Sequence, residues 1–135
     1  QEDEDFIKRV NDEHGPFDII IDDGGHTTSQ HQTSFNTLFE LLSNDSLYCI
    51  EDLHTAYWPS HGGGHKAPSS TISFLSNLID DLNARAQREA NGQRQGEAFN
   101  YMERNVFSLH FYEGVAIIHK LKKGNIDNPI SSTRF

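Results

Sequence analysis

The sequence predicts an α/β fold: a mixed sheet with two parallel strands and an antiparallel hairpin, flanked by helices. Three observations predict it. Two short apolar runs, Phe17 to Ile21 and Leu47 to Ile50, bracket a segment with helical apolar spacing. Strand, helix and strand in that order make a parallel pair with a right-handed crossover. Near the end, an alternating run reverses at Glu113-Gly114, which makes its two arms antiparallel.

The elements follow in order. Gln1 to Glu13 is highly charged and weakly helical, and His14-Gly15-Pro16 stops it. Phe17-Asp18-Ile19-Ile20-Ile21 is β-branched and reads as a strand buried on both faces, as in a parallel sheet. Asp22-Asp23-Gly24-Gly25-His26 breaks it. Phe35, Leu38, Phe39 and Leu42 then fall on one helix stripe. Ser43 to Ser46 is a turn, and Leu47-Tyr48-Cys49-Ile50 is the second buried strand. A loop rich in Gly, Pro and His runs from Leu53 to Pro68. Ser69 or Ser70 caps the next helix, whose apolar positions are Ile72, Leu75, Leu78, Ile79 and Leu82. The polar stretch Arg85 to Gly96 reads as an exposed loop or helix end. Phe107, Leu109 and Phe111 alternate up to the hairpin turn, and Val115 to Leu121 returns. The polar tail, residues 122–135, is expected to be loosely ordered.

The chain has 135 residues, enough for one domain with a modest core. Its 20 acidic and 11 basic side chains give a net charge of −9, which argues against nucleic-acid or anionic-membrane partners. No apolar run approaches the roughly 20 residues of a membrane span. The lone cysteine, Cys49, sits in an apolar run and reads as a buried, inert thiol. A cytoplasmic protein is the expectation.

Ligands of parallel sheets bind beyond the carboxyl ends of the strands. Both predicted strands end in acids there, Asp22-Asp23 on one and Glu51-Asp52 on the other. Neighbouring strands lie about 4.8 Å apart, so four carboxylates would crowd one crevice. Such crowding needs protonation, a basic partner or a cation to relieve it. No Lys or Arg lies between His14 and Lys66, which favours a divalent cation; oxygen ligands select Mg²⁺, Mn²⁺ or Ca²⁺ over zinc. Taken singly, each acid could equally be a turn former or helix cap. His26, three residues past Asp23, is either a general base beside the metal or a cap of its helix. His31 reads as a helix-surface residue. His61 and His65 flank Gly62-Gly63-Gly64, a spacer that suits a hinge or lid better than a zinc site. Tyr57 and Trp58, beside Pro59, lie outside any periodic element; they either stack on a sugar or pack over the sheet end.

Two segments carry a resemblance: Phe17-Asp-Ile-Ile-Ile-Asp-Asp-Gly-Gly-His26, and Leu47-Tyr-Cys-Ile-Glu-Asp-Leu-His-Thr-Ala-Tyr-Trp-Pro59. Together with Ser108 to Tyr112 and Ile117-Ile118, they resemble the Mg²⁺-dependent sugar O-methyltransferases of macrolide and polyketide biosynthesis. These are class I S-adenosylmethionine-dependent enzymes with a Rossmann-like fold. The resemblance implies Asp23, Glu51 and Asp52 as metal carboxylates and His26 as the base that deprotonates a sugar hydroxyl. It further implies Asp22 on the side of the S-adenosyl-L-methionine cofactor, Tyr57 and Trp58 at the substrate, and a sugar or small-molecule acceptor. The strand at Phe17 corresponds to the family's fourth, so the match is to the C-terminal half of the fold. The glycine-rich cofactor turn after the first strand is absent, and residues 1–135 read as a single partial domain. An open sheet edge is then expected, favouring a homo-oligomer. Two other readings stay open, a metal-dependent hydrolase and a non-catalytic acidic scaffold.

Overall fold

A computed structural model describes residues 1–91 and 99–122. The expected tail beyond Lys122 and part of the polar stretch after Arg85 lie outside the described residues. Helix α1 spans Glu4–His14, its first turn capped by the Asp3 carboxylate, which accepts from the Phe6 amide at 2.9 Å. Strand β1 (Ile19–Asp22) leads into α2 (Thr28–Leu41), and β2 (Ser46–Ile50) follows. Two 3₁₀ turns, Leu53–Tyr57 and Pro59–His61, carry the chain to α3 (Thr71–Leu82) and α4 (Ala84–Ala90). A short α5 (Tyr101–Asn105) precedes the hairpin of β3 (Val106–Tyr112) and β4 (Val115–Lys120).

The sheet order is β1-β2-β4-β3. β1 and β2 are parallel, with Ile19 opposite Leu47 and Asp22 opposite Ile50. β4 runs antiparallel to both β2 and β3. This is the mixed sheet the pattern predicts, and Ser70 is the α3 cap, its hydroxyl accepting from the Ser73 amide at 3.2 Å. Local signals explain the caps that pattern reading passed over. Thr27 and Gln30 form a capping box at α2, and Asn100 and Glu103 form another at α5.

The core lies on one face of the sheet. Phe35 and Phe39 of α2 and Leu75 and Leu78 of α3 pack on Tyr48, Ile50, Val106 and Ile118, all essentially inaccessible to solvent. The opposite face is open among the described residues. Ile19 and Ile21 are 61% and 62% exposed, so β1 is not buried on both faces as its composition suggests. A continuous apolar run cannot report whether one helix layer or two cover a strand.

The hairpin departs from the expected alternation in one place. Val106 pairs with Lys120 and Ser108 with His119, so Phe107 is an extra residue on β3. That bulge turns Phe107 to the open face, where its ring meets His119 at 5.1 Å, and leaves Val106 in the core.

Candidate functional site: a carboxylate–imidazole cluster at the strand ends

Parallel pairing of β1 and β2 places their carboxyl ends side by side, and the ladder continues one step as the Glu51 amide donates to the Asp22 carbonyl at 3.1 Å. Past that point both chains turn sharply through left-handed residues. His26 has φ 56° and Asp52 has φ 53°, conformations that cost a non-glycine residue free energy and collect at functional sites. The result is convergence. His26 Nε2 lies 3.7 Å from an Asp23 oxygen and 3.5 Å from an Asp52 oxygen. Ligand-capable atoms of Asp23, His26 and Asp52 all fall within 4.8 Å of one another. His26 is mostly covered and its Nδ1 is buried without a partner, while both carboxylates are solvent-facing.

The two hard carboxylates, open toward solvent, suit a divalent cation of the Mg²⁺ or Mn²⁺ kind, and the imidazole stands beside them. No lysine or arginine stands in the chain between His14 and Lys66 to neutralise the acids instead.

Of the residues the sequence singled out, Asp23, His26 and Asp52 meet. Glu51 does not join them: strand alternation turns it to the open face beside Cys49, whose thiol pKa is pushed up by burial and then by the Glu51 charge. Cys49 itself is half-buried rather than buried. Asp22 points the other way, beneath the cluster. It is 7% exposed and accepts the Tyr48 hydroxyl at 2.8 Å together with bonds from Ser34 Oγ and Gln1 Nε2. Burial, and after it the Asp22 charge, raises the Tyr48 phenol far above its ordinary range, keeping it a neutral donor.

Tyr57 and Trp58 are about half exposed at the rim. Trp58 meets the His54 and His61 rings edge-on at 5.0 and 5.3 Å. Tyr57 lines a cleft of about 530 Å³ with Leu53, His54, Ile79 and Phe111. A second, hydroxyl-lined groove of about 600 Å³ runs between Thr28, Ser29, Ser60, His61 and Asn77. The triglycine is not a free hinge: the Gly63 amide donates to the Trp58 carbonyl at 3.0 Å and the Gly64 amide to the Ala56 carbonyl at 2.9 Å.

His31 is fully buried, not on the helix surface. Position 31 precedes Phe35 by one turn and so extends the same stripe inward. Its Nδ1 pairs with Thr71 Oγ1 at 3.2 Å and its ring sits 6.0 Å from that of His26. Burial lowers its pKa from the usual value, outweighing the nearby acids. The folded state therefore resists protonating it. Its contribution is fully present above pH about 6.5 and lost as pH falls toward the lowered folded pKa. Urea titrations between neutral pH and pH 5 should show the wild type losing more stability than His31→Leu over that window. Equal slopes would mean His31 titrates normally.

No family model matches the chain. It is 39% identical over 117 residues to L-olivosyl-oleandolide 3-O-methyltransferase of Streptomyces antibioticus, covering 84% of this chain and 29% of that protein. It is 38% identical over 123 residues to the 8-demethyl-8-(2-methoxy-α-L-rhamnosyl)-tetracenomycin-C 3′-O-methyltransferase of Streptomyces olivaceus, covering 89% of this chain and 30% of that one. Among solved structures, MycE methyltransferase from the mycinamycin biosynthetic pathway, in complex with Mg and SAH, superposes with TM-score 0.81 at 35% identity, over 90% of this chain and 31% of that one. A second MycE complex, with Mg, SAH and mycinamycin VI, superposes with TM-score 0.78. The chain thus spans about three tenths of the length of the proteins it matches. Over that span it is a homologue of the sugar O-methyltransferases of the macrolide and tetracenomycin pathways, and its mixed sheet is the corresponding part of their methyltransferase fold.

Proposed function

We propose that this chain forms the metal- and acceptor-binding part of an S-adenosylmethionine-dependent O-methyltransferase acting on a sugar hydroxyl of a glycosylated small molecule. The observation that carries the reading is the meeting of Asp23, His26 and Asp52 at the carboxyl ends of two parallel strands. The homologues' acceptors, an olivosyl oleandolide and a rhamnosyl tetracenomycin by their names, supply the acceptor class.

When bound, the cofactor supplies an activated methyl group, and a divalent cation supplies the positive charge that acidifies a hydroxyl. Asp23 and Asp52 would hold the cation, while Glu51, the third carboxylate that the resemblance implies, stands outside the cluster. His26 takes the hydroxyl proton at Nε2, the ring nitrogen that faces the carboxylates. Tyr57 and Trp58 flank the sugar at the rim, and Asp22 lies on the cofactor side beneath the cluster. Holding the hydroxyl oxygen in line with the methyl group is the main service these residues provide.

The test needs neither acceptor nor cofactor. Electron paramagnetic resonance of Mn²⁺ with the whole chain should show one bound ion. An Asp23→Asn, Asp52→Asn double variant should weaken that binding by at least about a hundredfold, since loss of an outer-shell partner alone costs about 10–100-fold. Equal binding by both proteins would refute the site.

A further inference from the structure

Two loops build the cluster, and they are far apart in sequence. Asp23 and His26 lie on the turn after β1; Asp52 lies on the turn after β2. The parallel ladder aligns the strands only as far as the Asp22–Glu51 contact, so something else must hold the turns beyond it. Thr55 is placed to do so. It is 3% exposed, and its Oγ1 lies 2.9 Å from the His26 carbonyl and 2.9 Å from the Asp52 carbonyl. A hydroxyl has a single proton to donate. The Asp52 carbonyl also accepts the Thr55 backbone amide at 3.0 Å, so Thr55 stays tied to the Asp52 turn when its hydroxyl proton is given to the His26 carbonyl across the two loops. Both residues whose carbonyls it meets are the left-handed ones, His26 and Asp52. Such backbones persist only where their surroundings over-determine them.

We infer that Thr55 is the positioning residue of the cluster, its hydroxyl clamping the His26 and Asp52 turns at the separation a cation needs. The inference rests on the metal reading above for its consequence, though not for its geometry. Thr55 touches no reacting atom. Its effect runs through backbone placement of the residues that do, as supporting groups around metal ligands do.

Three variants separate this role from plain packing. Thr55→Val keeps the shape and removes the hydroxyl. Thr55→Ser keeps the hydroxyl and removes a methyl. Ser46→Ala removes another buried hydroxyl, one bonded to the Ser43 carbonyl at 2.7 Å near the far end of β2. Mn²⁺ binding by electron paramagnetic resonance should weaken about tenfold or more in Thr55→Val and stay near wild type in Thr55→Ser and Ser46→Ala. In the metal-free protein, ¹⁵N–¹H spectra of Thr55→Val should shift the amides of His26, Thr27, Asp52 and Leu53 while those of Phe35 and Tyr48 hold still. Wild-type affinity in Thr55→Val, or equal loss in Thr55→Ser, overturns the clamp. Should the wild type bind no Mn²⁺, the metal reading falls and the metal-free spectra alone decide the clamp: unmoved turn amides overturn it, shifted ones uphold it.

Discussion

Replacing Phe35 by alanine should lower the unfolding free energy by about 3–5 kcal/mol, the range for deleting a fully buried aromatic. Phe35 has no solvent exposure and sits where three elements meet. Its ring stacks on Phe39 of α2 at 4.8 Å and meets Tyr48 of β2 and Phe74 of α3 edge-on at 5.2 and 5.4 Å. Truncation leaves a cavity lined by three rings that have their own fixed neighbours, so the site cannot collapse far. Urea unfolding followed by far-ultraviolet circular dichroism measures the loss. A change below about 1 kcal/mol would mean the aromatic cluster is not packed as described. The consequence reaches the cluster, because α2 begins one residue after Thr27 and carries the His26 turn with it.

The second large effect is expected at Gly63. A methyl group there would overlap the carbonyl group of Ala56. The obstacle is backbone, not the end of a mobile side chain, so the loop itself must move. Gly63→Ala should cost about 1–3 kcal/mol, the usual range for forced overpacking. It should also displace the 3₁₀ turn that holds Thr55, Tyr57 and Trp58, and so weaken Mn²⁺ binding without touching a carboxylate. Gly64 differs in kind: a methyl there would meet only the Ala67 side chain, at 3.3 Å, and its strain would come from a φ of 158°. Thermal melts of Gly63→Ala that match the wild type would show that the loop accommodates the methyl, contrary to the close approach of residues 56 and 63.

Cys49 offers a smaller check on the open face. Burial and the Glu51 charge push its thiol pKa up, so alkylation by iodoacetamide at pH 7 should run slower than that of free cysteine. Faster reaction would contradict both causes.

Periodicity sufficed for the order of the four strands and of α2 and α3, but not for the short α5 or the 3₁₀ turns. The stripe of Phe35, Leu38, Phe39 and Leu42, the β-branched run before Asp22 and the Glu113-Gly114 turn each encode a local geometry that their spacing reports directly. The acidic strand ends were legible for the same reason: once two strands are parallel neighbours, their carboxyl ends coincide. Other features have no local signature. Phe107 reads as inward by alternation, yet one bulge sends it outward. His31 looks polar and exposed, yet its place one turn before Phe35 buries it.

Residue spacing alone therefore established the α/β class, the parallel pair with its hairpin, and four candidate carboxylates, Asp22, Asp23, Glu51 and Asp52, with His26 close behind them. Their convergence, the turning away of Glu51, the burial of Asp22 beneath the floor and the bridging position of Thr55 came from tertiary structure. The physical reason is one of range. Helix and strand periods are set by neighbouring residues, whereas the left-handed turns at His26 and Asp52 depend on a hydroxyl that reaches His26 from 29 residues away in sequence.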